Sequence, residues 1–241
     1  MSSVLTYKEV DFDSISFTPP RKVTKKYFAS TRYIRNGKKV KDLYFQLSGL
    51  KVISTQFDTS NDKRGYIEVD IGHTNSRLYN FIRRLDDVNI ESAVKNTVEW
   101  FKDDLSKDDI EDIYRTPIRL PKSGHKSSLK LNLPVETDES KLTVYDSNKQ
   151  EVEYKECNES CNTVMIVEFL GLTFSKTQFS PEFVVRQVKI NERNSLDFSK
   201  YLILDEEDED YCSDELNYPD DEYLSDNEEI EDSENNNIED I

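Results

Sequence analysis

The last 37 residues, Asp205 to Ile241, set the first constraint, because they hold 19 Asp and Glu and no Lys or Arg. Like charge at that density repels itself. The stretch also has too little apolar surface to offset the entropy of ordering, so it reads as a disordered acidic tail. Folding is then left to about 200 residues, enough for one sizeable core or two small ones. The whole chain has a formal net charge of −17, yet residues 1–204 carry 32 basic and 30 acidic side chains. A nearly neutral body therefore ends in a polyanion.

Within the body, Leu43, Phe45 and Leu47 alternate with Tyr44, Gln46 and Ser48, the period of a half-buried strand. Tyr27 to Ile34 reads as a strand, Asn36-Gly37 as a tight hairpin turn and Lys39 to Ser48 as the returning strand. Gly49 interrupts the pattern and predicts a bulge or bend. Leu50 to Phe57 and Tyr66 to Ile71 continue the sheet across a polar loop, Asp58 to Gly65. After Gly72 the period becomes three and four. Asn75 or Ser76 can cap a helix with the stripe Leu78, Phe81, Ile82 and Leu85. A second helix is expected from about Ile90, with Val94, Val98 and Phe101 on one face. A short third helix capped by Ser106 runs through Ile110 and Ile113 and ends at Thr116-Pro117. Residues 118–128 read as a loop. Strands resume at Ser128–Leu133, Lys141–Tyr145, Gln150–Tyr154, Thr163–Phe174 and Phe183–Ile190, with a turn at Asp146–Lys149. The expected class is mainly β (α+β), an antiparallel barrel or sandwich of eight or nine short strands around one helical insertion.

The expected organisation is an N-terminal arm or edge strand over 1–24, a domain over 25–192 with its helical insertion at about 76–115, a connector over 193–204, and the tail over 205–241. One echo runs through the body. Gly49-Leu50, four residues, then Thr55-Gln56-Phe57 matches Gly171-Leu172, four residues, then Thr177-Gln178-Phe179. It reads as two bent strands turning a corner the same way.

Little in the chain suggests catalysis. His73 and His125 are the only histidines, and neither has a Ser or Cys in a nucleophile-like setting. Cys157 and Cys161 are spaced too loosely for the usual zinc pairs. There is no phosphate loop or dinucleotide fingerprint. No enzyme activity and no cofactor or metal are expected. No apolar run approaches 18 residues, so no membrane partner is expected. The start, Met1-Ser-Ser-Val-Leu-Thr-Tyr-Lys, lacks a signal-peptide layout. Three cysteines without a disulfide framework suit a reducing compartment, cytoplasm or nucleus.

The chemistry that is present is that of nucleic-acid binding. From Ser14 to Lys41 there is no acidic residue, while Arg21, Lys22, Lys25, Lys26, Arg32, Arg35, Lys38, Lys39 and Lys41 supply nine positive charges, with Tyr27, Phe28 and Tyr33 interleaved. Single strands are held by a positive groove along the phosphates and by aromatic faces that stack on bases. Lys25, Lys26, Arg32, Arg35, Lys38, Lys39 and Lys41 are the phosphate candidates. Tyr27, Tyr33, Tyr44 and Phe179 are the stacking candidates. A second run adds Lys176, Arg186 and Lys189. Phe28, Phe45, Phe169 and Phe174 are better explained as core, and Trp100-Phe101 as helix packing. A tethered polyanion beside such a groove would compete with nucleic acid for it. Tyr211, Leu216, Tyr218, Tyr223, Leu224 and Ile230 could give partner proteins an apolar grip on the tail.

Four parts together carry a resemblance: the strand Leu43-Tyr-Phe-Gln-Leu, the helix Asn96-Thr-Val-Glu-Trp-Phe101, the strand Ile166-Val-Glu-Phe-Leu-Gly-Leu-Thr-Phe174 running to Val185-Arg-Gln-Val-Lys189, and the tail. The layout resembles the single-stranded-DNA-binding proteins of large nucleocytoplasmic DNA viruses, themselves similar to the bacteriophage T7 type. The resemblance implies an OB-fold barrel with a helical insertion, no catalysis, and work in replication, recombination and repair inside an infected host cell or the virion. It also implies replication proteins as partners of the tail. T7-type tails end in an aromatic residue, whereas this chain ends in Ile238-Glu-Asp-Ile241. Two other classes compete: a chaperone binding histones or other basic proteins through the tail, and a virion structural protein. RNA in place of DNA and a homodimer both stay open.

Overall fold

The structure, a computed structural model, describes residues 4–24, 26–35, 37–40, 43–57, 65–74, 76–120, 126–134, 142–159 and 161–193. Residues 1–196 make one compact unit, and the other, Asp197–Ile241, lies wholly outside the described residues. The expected tail falls in that second unit. In chain order the elements are β1 (Val4–Thr6), β2 (Ile15–Phe17), β3 (Arg21–Val23), β4 (Lys26–Arg35), β5 (Lys38–Val40), β6 (Leu43–Gln56) and β7 (Tyr66–Gly72). The helices α1 (Arg77–Lys95), α2 (Thr97–Phe101) and α3 (Lys107–Ile113) follow. The chain then returns to strand in β8 (Ile118–Arg119), β9 (Ser127–Asn132), β10 (Thr143–Tyr145), β11 (Glu151–Val152), β12 (Cys161–Phe174) and β13 (Phe179–Arg193).

Five strands close a barrel. β6 pairs with β7, β7 with β9, β13 with β12, and β12 with β6, all antiparallel. A parallel contact between β13 and β9, Val184 opposite Asn132, completes the ring. This five-stranded closed ring is the expected OB-type barrel, and the helices are inserted between its second and third strands. Leu43, Phe45, Leu47, Leu50 and Val52 of β6, Ile67 and Val69 of β7, Leu129 and Leu131 of β9, Met165 and Val167 of β12, and Val185 and Val188 of β13 fill it, all essentially without exposure.

The two glycines of the echo do the same job. Before Gly49 the buried residues of β6 are odd-numbered, and after it they are even. Along β12 the large apolar residues that are buried are Met165, Val167 and Phe169, then Leu172 and Phe174. Each glycine has a positive φ, +72° at Gly49 and +141° at Gly171, and the ladder slips beside each. A bulge re-phases the strand so that both halves of a strongly bent strand face the same core. The echo stops there: Thr55 and Gln56 end β6, whereas Thr177 and Gln178 lie in the β12–β13 turn.

Several boundaries differ from the expectation. One helix, α1, continues through Ile90, where a second helix was expected to begin, and breaks at Asn96, because Asp86 and Asn89 keep its buried stripe going. Ser76 is its cap: the hydroxyl accepts from the Tyr79 amide at 3.0 Å and donates to the Ile71 carbonyl at 2.6 Å. The 118–128 segment is not all loop, since Ile118–Arg119 pairs with β9. Lys39 to Ser48 is not one strand. β5 pairs with β4 only back to Val40 opposite Tyr33, and β6 then joins the barrel, with β12 between it and β4. Of the two readings of 1–24, arm or edge strand, the described residues follow the second, with Val4–Thr6 parallel to β6 and both Ile15–Phe17 and Arg21–Val23 against β4.

The helical insertion is tied down by a buried carboxylate. Asp86 on α1 is 1% exposed. It accepts from the Tyr114 hydroxyl at 2.6 Å and the Thr116 hydroxyl at 2.6 Å. Asn89 donates to the Tyr114 oxygen at 3.0 Å. Burial pushes the Asp86 carboxyl up to about 6, against the lowering effect of Thr116, Tyr114 and Arg83. Between the ordinary carboxylate range and about 6 the folded state keeps a proton that the unfolded state releases. This group therefore contributes most at low pH, and its contribution fades as pH rises through about 6. Relative to Asp86→Asn, the wild type should gain about 2–3 kcal/mol on going from about pH 7.5 to about pH 4. Urea unfolding of both proteins at the two pH values checks this, and a gap that ignores pH would show that Asp86 titrates normally.

Candidate nucleic-acid interface

Strand β4 is flanked on one edge by β12 and on the other by β2, β3 and β5. Its alternation buries Ala29, Thr31 and Tyr33 and turns Lys26, Phe28, Ser30, Arg32 and Ile34 outward. From Ile15 to Val40 this ribbon contains no carboxylate. Arg21, Lys22, Lys26, Arg32 and Lys38 are exposed on it. Among the described residues none of these five forms an ion pair, whereas Arg83, Lys107, Arg119, Lys126 and Arg186 each do. The pairing of β3 with β4 also sets Arg21 beside Phe28 on one face and Lys22 beside Tyr27 on the other.

A cleft of about 400 Å³ opens on the Phe28 face. It is lined by Thr18, Arg21, Phe28, Ser30, Arg32 and Glu168, with the backs of Phe169 and Leu170 below. Glu168 is the one carboxylate among its described lining residues. It is buried and bound by the Arg186 guanidinium through both Nε and Nη2. Arg186 reaches it from a bulge, since Ile166 faces Gln187 and Val167 faces Val185. The cleft thus joins two guanidinium groups that have no ion-pair partner among the described residues, a half-buried aromatic ring and hydroxyl donors. Planar guanidinium forks suit phosphate, and the ring suits a base.

The expected site residues divide. Lys26 and Arg32 are exposed on the ribbon, and Arg32 lines the cleft. Tyr27, 53% exposed, points to the opposite face from Phe28. Lys38 is exposed at the β5 hairpin. Arg35 is half-buried near Glu9, whose carboxyl is held low first by the Thr6 backbone and hydroxyl and then by the Arg35 charge. Lys25, Lys41 and the side chain of Lys39 lie outside the described residues. Two stacking candidates are corrected. Tyr33 is 4% exposed, and its hydroxyl oxygen accepts from the Asp11 amide at 3.0 Å. Phe179 is 1% exposed, lying parallel to Phe174 at 5.5 Å and edge-on to Phe101 and Tyr114. Neither ring has a face left for a base. Arg186 is also corrected from a free phosphate ligand to the counter-charge of Glu168. Tyr44 stands opposite Glu168 on the outside of β6. Lys189 lies further along β13, beside Tyr145 of β10. Lys176 is exposed in the β12–β13 turn.

Of the cleft residues beyond Arg32, Arg21 and Phe28 bear most on binding. Both stand in the acid-free run, but only the β3–β4 register shows that they share a face. The outer face of β7 and β9, where OB barrels often take oligonucleotides, is occupied differently. Glu68 binds Arg119 at 3.0 Å and accepts from Ser128 at 2.6 Å, and Asp70 binds Lys126 at 3.3 Å. Its carboxylates repel phosphate, and these two cations are already matched. Among the described residues no group of three or more His, Cys, Asp or Glu comes together as a metal site.

Residues 58–205 match a protein family described as a family of unknown function, DUF5871. The chain belongs to DUF5871. The DUF5871 match takes in the helices and four of the five barrel strands, and it begins after the ribbon and β6. No curated protein matches the chain. Several solved structures are similar to it, among them three of viral proteins. A C-terminally truncated single-stranded DNA-binding protein from bacteriophage Enc34 is 11% identical, covers 75% of this chain and 97% of its own, and has a TM-score of 0.43. The Enc34 protein in complex with ssDNA is 10% identical over the same shares, with a TM-score of 0.41. Gp2.5, a single-stranded DNA-binding protein encoded by bacteriophage T7, is 13% identical, covers 67% of this chain and 98% of its own, and has a TM-score of 0.43.

Proposed function

We propose that this DUF5871 protein binds single-stranded DNA without sequence preference along the β2–β5 ribbon, and that it does so without catalysis. The observation that carries this reading is the cleft between Arg21, Phe28 and Arg32, whose single described carboxylate is already bound by Arg186. Phosphates would lie against the two arginines, and a base would lie on Phe28. Stacking on a ring reads no base edge, so the binding tolerates any sequence. Replication, recombination and repair, where single strands are exposed, are the processes such binding would serve. Fluorescence anisotropy of labelled oligo-dT, duplex and RNA at two salt concentrations tests the reading. Preference for oligo-dT supports it, and indifference to all three sinks it.

The acidic run over 205–241 would compete with DNA for the same cations and offer a basic partner protein a place to hold when DNA displaces it. A protein ending at residue 204 should bind oligo-dT several-fold more tightly at low salt, with the gain shrinking as salt screens the competition. Equal affinities for the two lengths at low salt would remove the tail from the mechanism. Capture of a basic protein by the full chain together with indifference of the body to DNA would instead favour a chaperone.

A further inference from the structure

The opposite face of the same ribbon carries a second cleft, of about 480 Å³, between the β3–β4 hairpin, α2 and the β12–β13 turn. Tyr27, Trp100 and Phe174 give it aromatic walls, Pro20 forms its rim, and Lys102 and Lys176 stand at its mouth. Trp100 is held edge-on by Phe17 at 6.0 Å and by Phe174 at 5.7 Å, and remains half-exposed. Tyr27 is among the most exposed large hydrophobic side chains of the described residues. The barrel core already has Phe45, Phe169 and Phe179 fully buried, so Tyr27 is not needed to complete it. Tyr27 and Trp100 thus leave two aromatic surfaces on one gap, the arrangement on which a base can stack.

Charge is distributed unevenly around this gap. The ribbon side carries Lys22, beside Tyr27 across the β3–β4 pair, and the turn carries Lys176. The helix side carries Glu99 and Asp103, with the Lys102 ammonium donating to the Glu99 carbonyl at 3.2 Å. A polyanion entering here would keep its phosphates on the ribbon and turn edge and send its bases toward Tyr27 and Trp100. The two clefts back onto each other across the β3–β4 hairpin. Thr18 lines the first and Pro20 the second, two residues apart in the chain. Arg21 faces the first cleft, and its neighbour Lys22 faces the other side.

We infer that this second cleft is a nucleobase subsite, and that a single strand held at Arg21, Phe28 and Arg32 continues over the β3 edge to place a further base between Tyr27 and Trp100. The inference rests on the reading that the ribbon binds single-stranded DNA. It assigns to the protein a bound length longer than one face of the ribbon could hold, and it gives Lys22 and Lys176 the phosphates of the second segment.

The chain has one tryptophan, so Trp100 emission reports on this cleft alone, while anisotropy of a labelled oligonucleotide reports binding anywhere. The full chain is titrated with oligo-dT of about 4 and about 12 nucleotides, lengths within the range that one OB barrel covers. The longer oligonucleotide should quench Trp100 saturably, and Tyr27→Ala and Lys176→Ala should each weaken it by about tenfold. Both residues are exposed, so neither change threatens the fold. If anisotropy shows binding while Trp100 emission stays constant and Tyr27→Ala binds like the wild type, the second subsite is wrong and the first cleft stands. If no oligonucleotide binds, the DNA reading fails and takes this inference with it. If removing 205–241 shifts Trp100 emission and DNA shifts it no further, the acidic segment is the occupant and the nucleobase assignment is overturned.

Discussion

Replacing Arg21 and Arg32 together by alanine should lower the affinity for poly-dT at low salt by about 100-fold, the loss of two charge-assisted contacts of about 1.5 kcal/mol each. The salt dependence should change with it. Each phosphate contact on a single strand contributes about −0.7 to the slope of log affinity against log salt, so the double variant should be shallower by about 1.4. The slope separates lost phosphate contacts from general damage, because a partly unfolded population lowers affinity without removing a fixed number of counterions. Arg119→Ala supplies the contrast. Arg119 is exposed but already bound to Glu68 on the β7–β9 face, so its loss should change poly-dT affinity less than about twofold. Equal losses for the two variants would move the interface off the ribbon.

The other large effect is on folding. At Gly171 a β-carbon would overlap the Ala29 carbonyl oxygen, and the φ of +141° is closed to other residues. Ala29 belongs to β4, which is paired to β12 at this point, so backbone would have to move against backbone. Gly171→Ala should cost about 3 kcal/mol or more, and it should loosen the ribbon before the barrel. Gly49 has open space where its β-carbon would stand, and its φ of +72° is in the left-handed region that other residues visit at modest cost. Gly49→Ala should therefore cost about 1 kcal/mol. Urea unfolding followed by circular dichroism measures both. Similar midpoints for the two variants would mean that the close approach of β4 to β12 is not a constraint on the fold.

That pair of glycines also marks how far the sequence could be read. The alternation of Leu43, Phe45 and Leu47, the break at Gly49 and the stripe Leu78, Phe81, Ile82 and Leu85 are all periodicities, and each became the element it announced. The continuation of α1 through Asp86 and Asn89 was not legible, because two polar residues on a buried face look like an end unless Tyr114 and Thr116 are known to meet them. Pairing over long separations was hidden in the same way. Nothing local says that β12 slots between β6 and β4, so the β4–β5 hairpin is shorter than the local pattern predicts. The candidate site followed this pattern. The acid-free run located the ribbon and named Arg32. Which aromatics were spare depended on packing: Tyr33 and Phe179 went into the core, and Phe28, expected there, borders the cleft.

The barrel's closure has a mechanical consequence. Four of its joints are ladders of several paired residues, while among the described residues β9 and β13 meet through one, Val184 and Asn132. Force or thermal breathing that opens the ring meets least resistance along this seam. Parting there would leave the β6–β12–β13 ladders intact, and β4 with its ribbon is fastened to β12. The ribbon hangs from the strongest part of the hoop and sits away from its clasp, so the hoop can gape while the cleft keeps its shape.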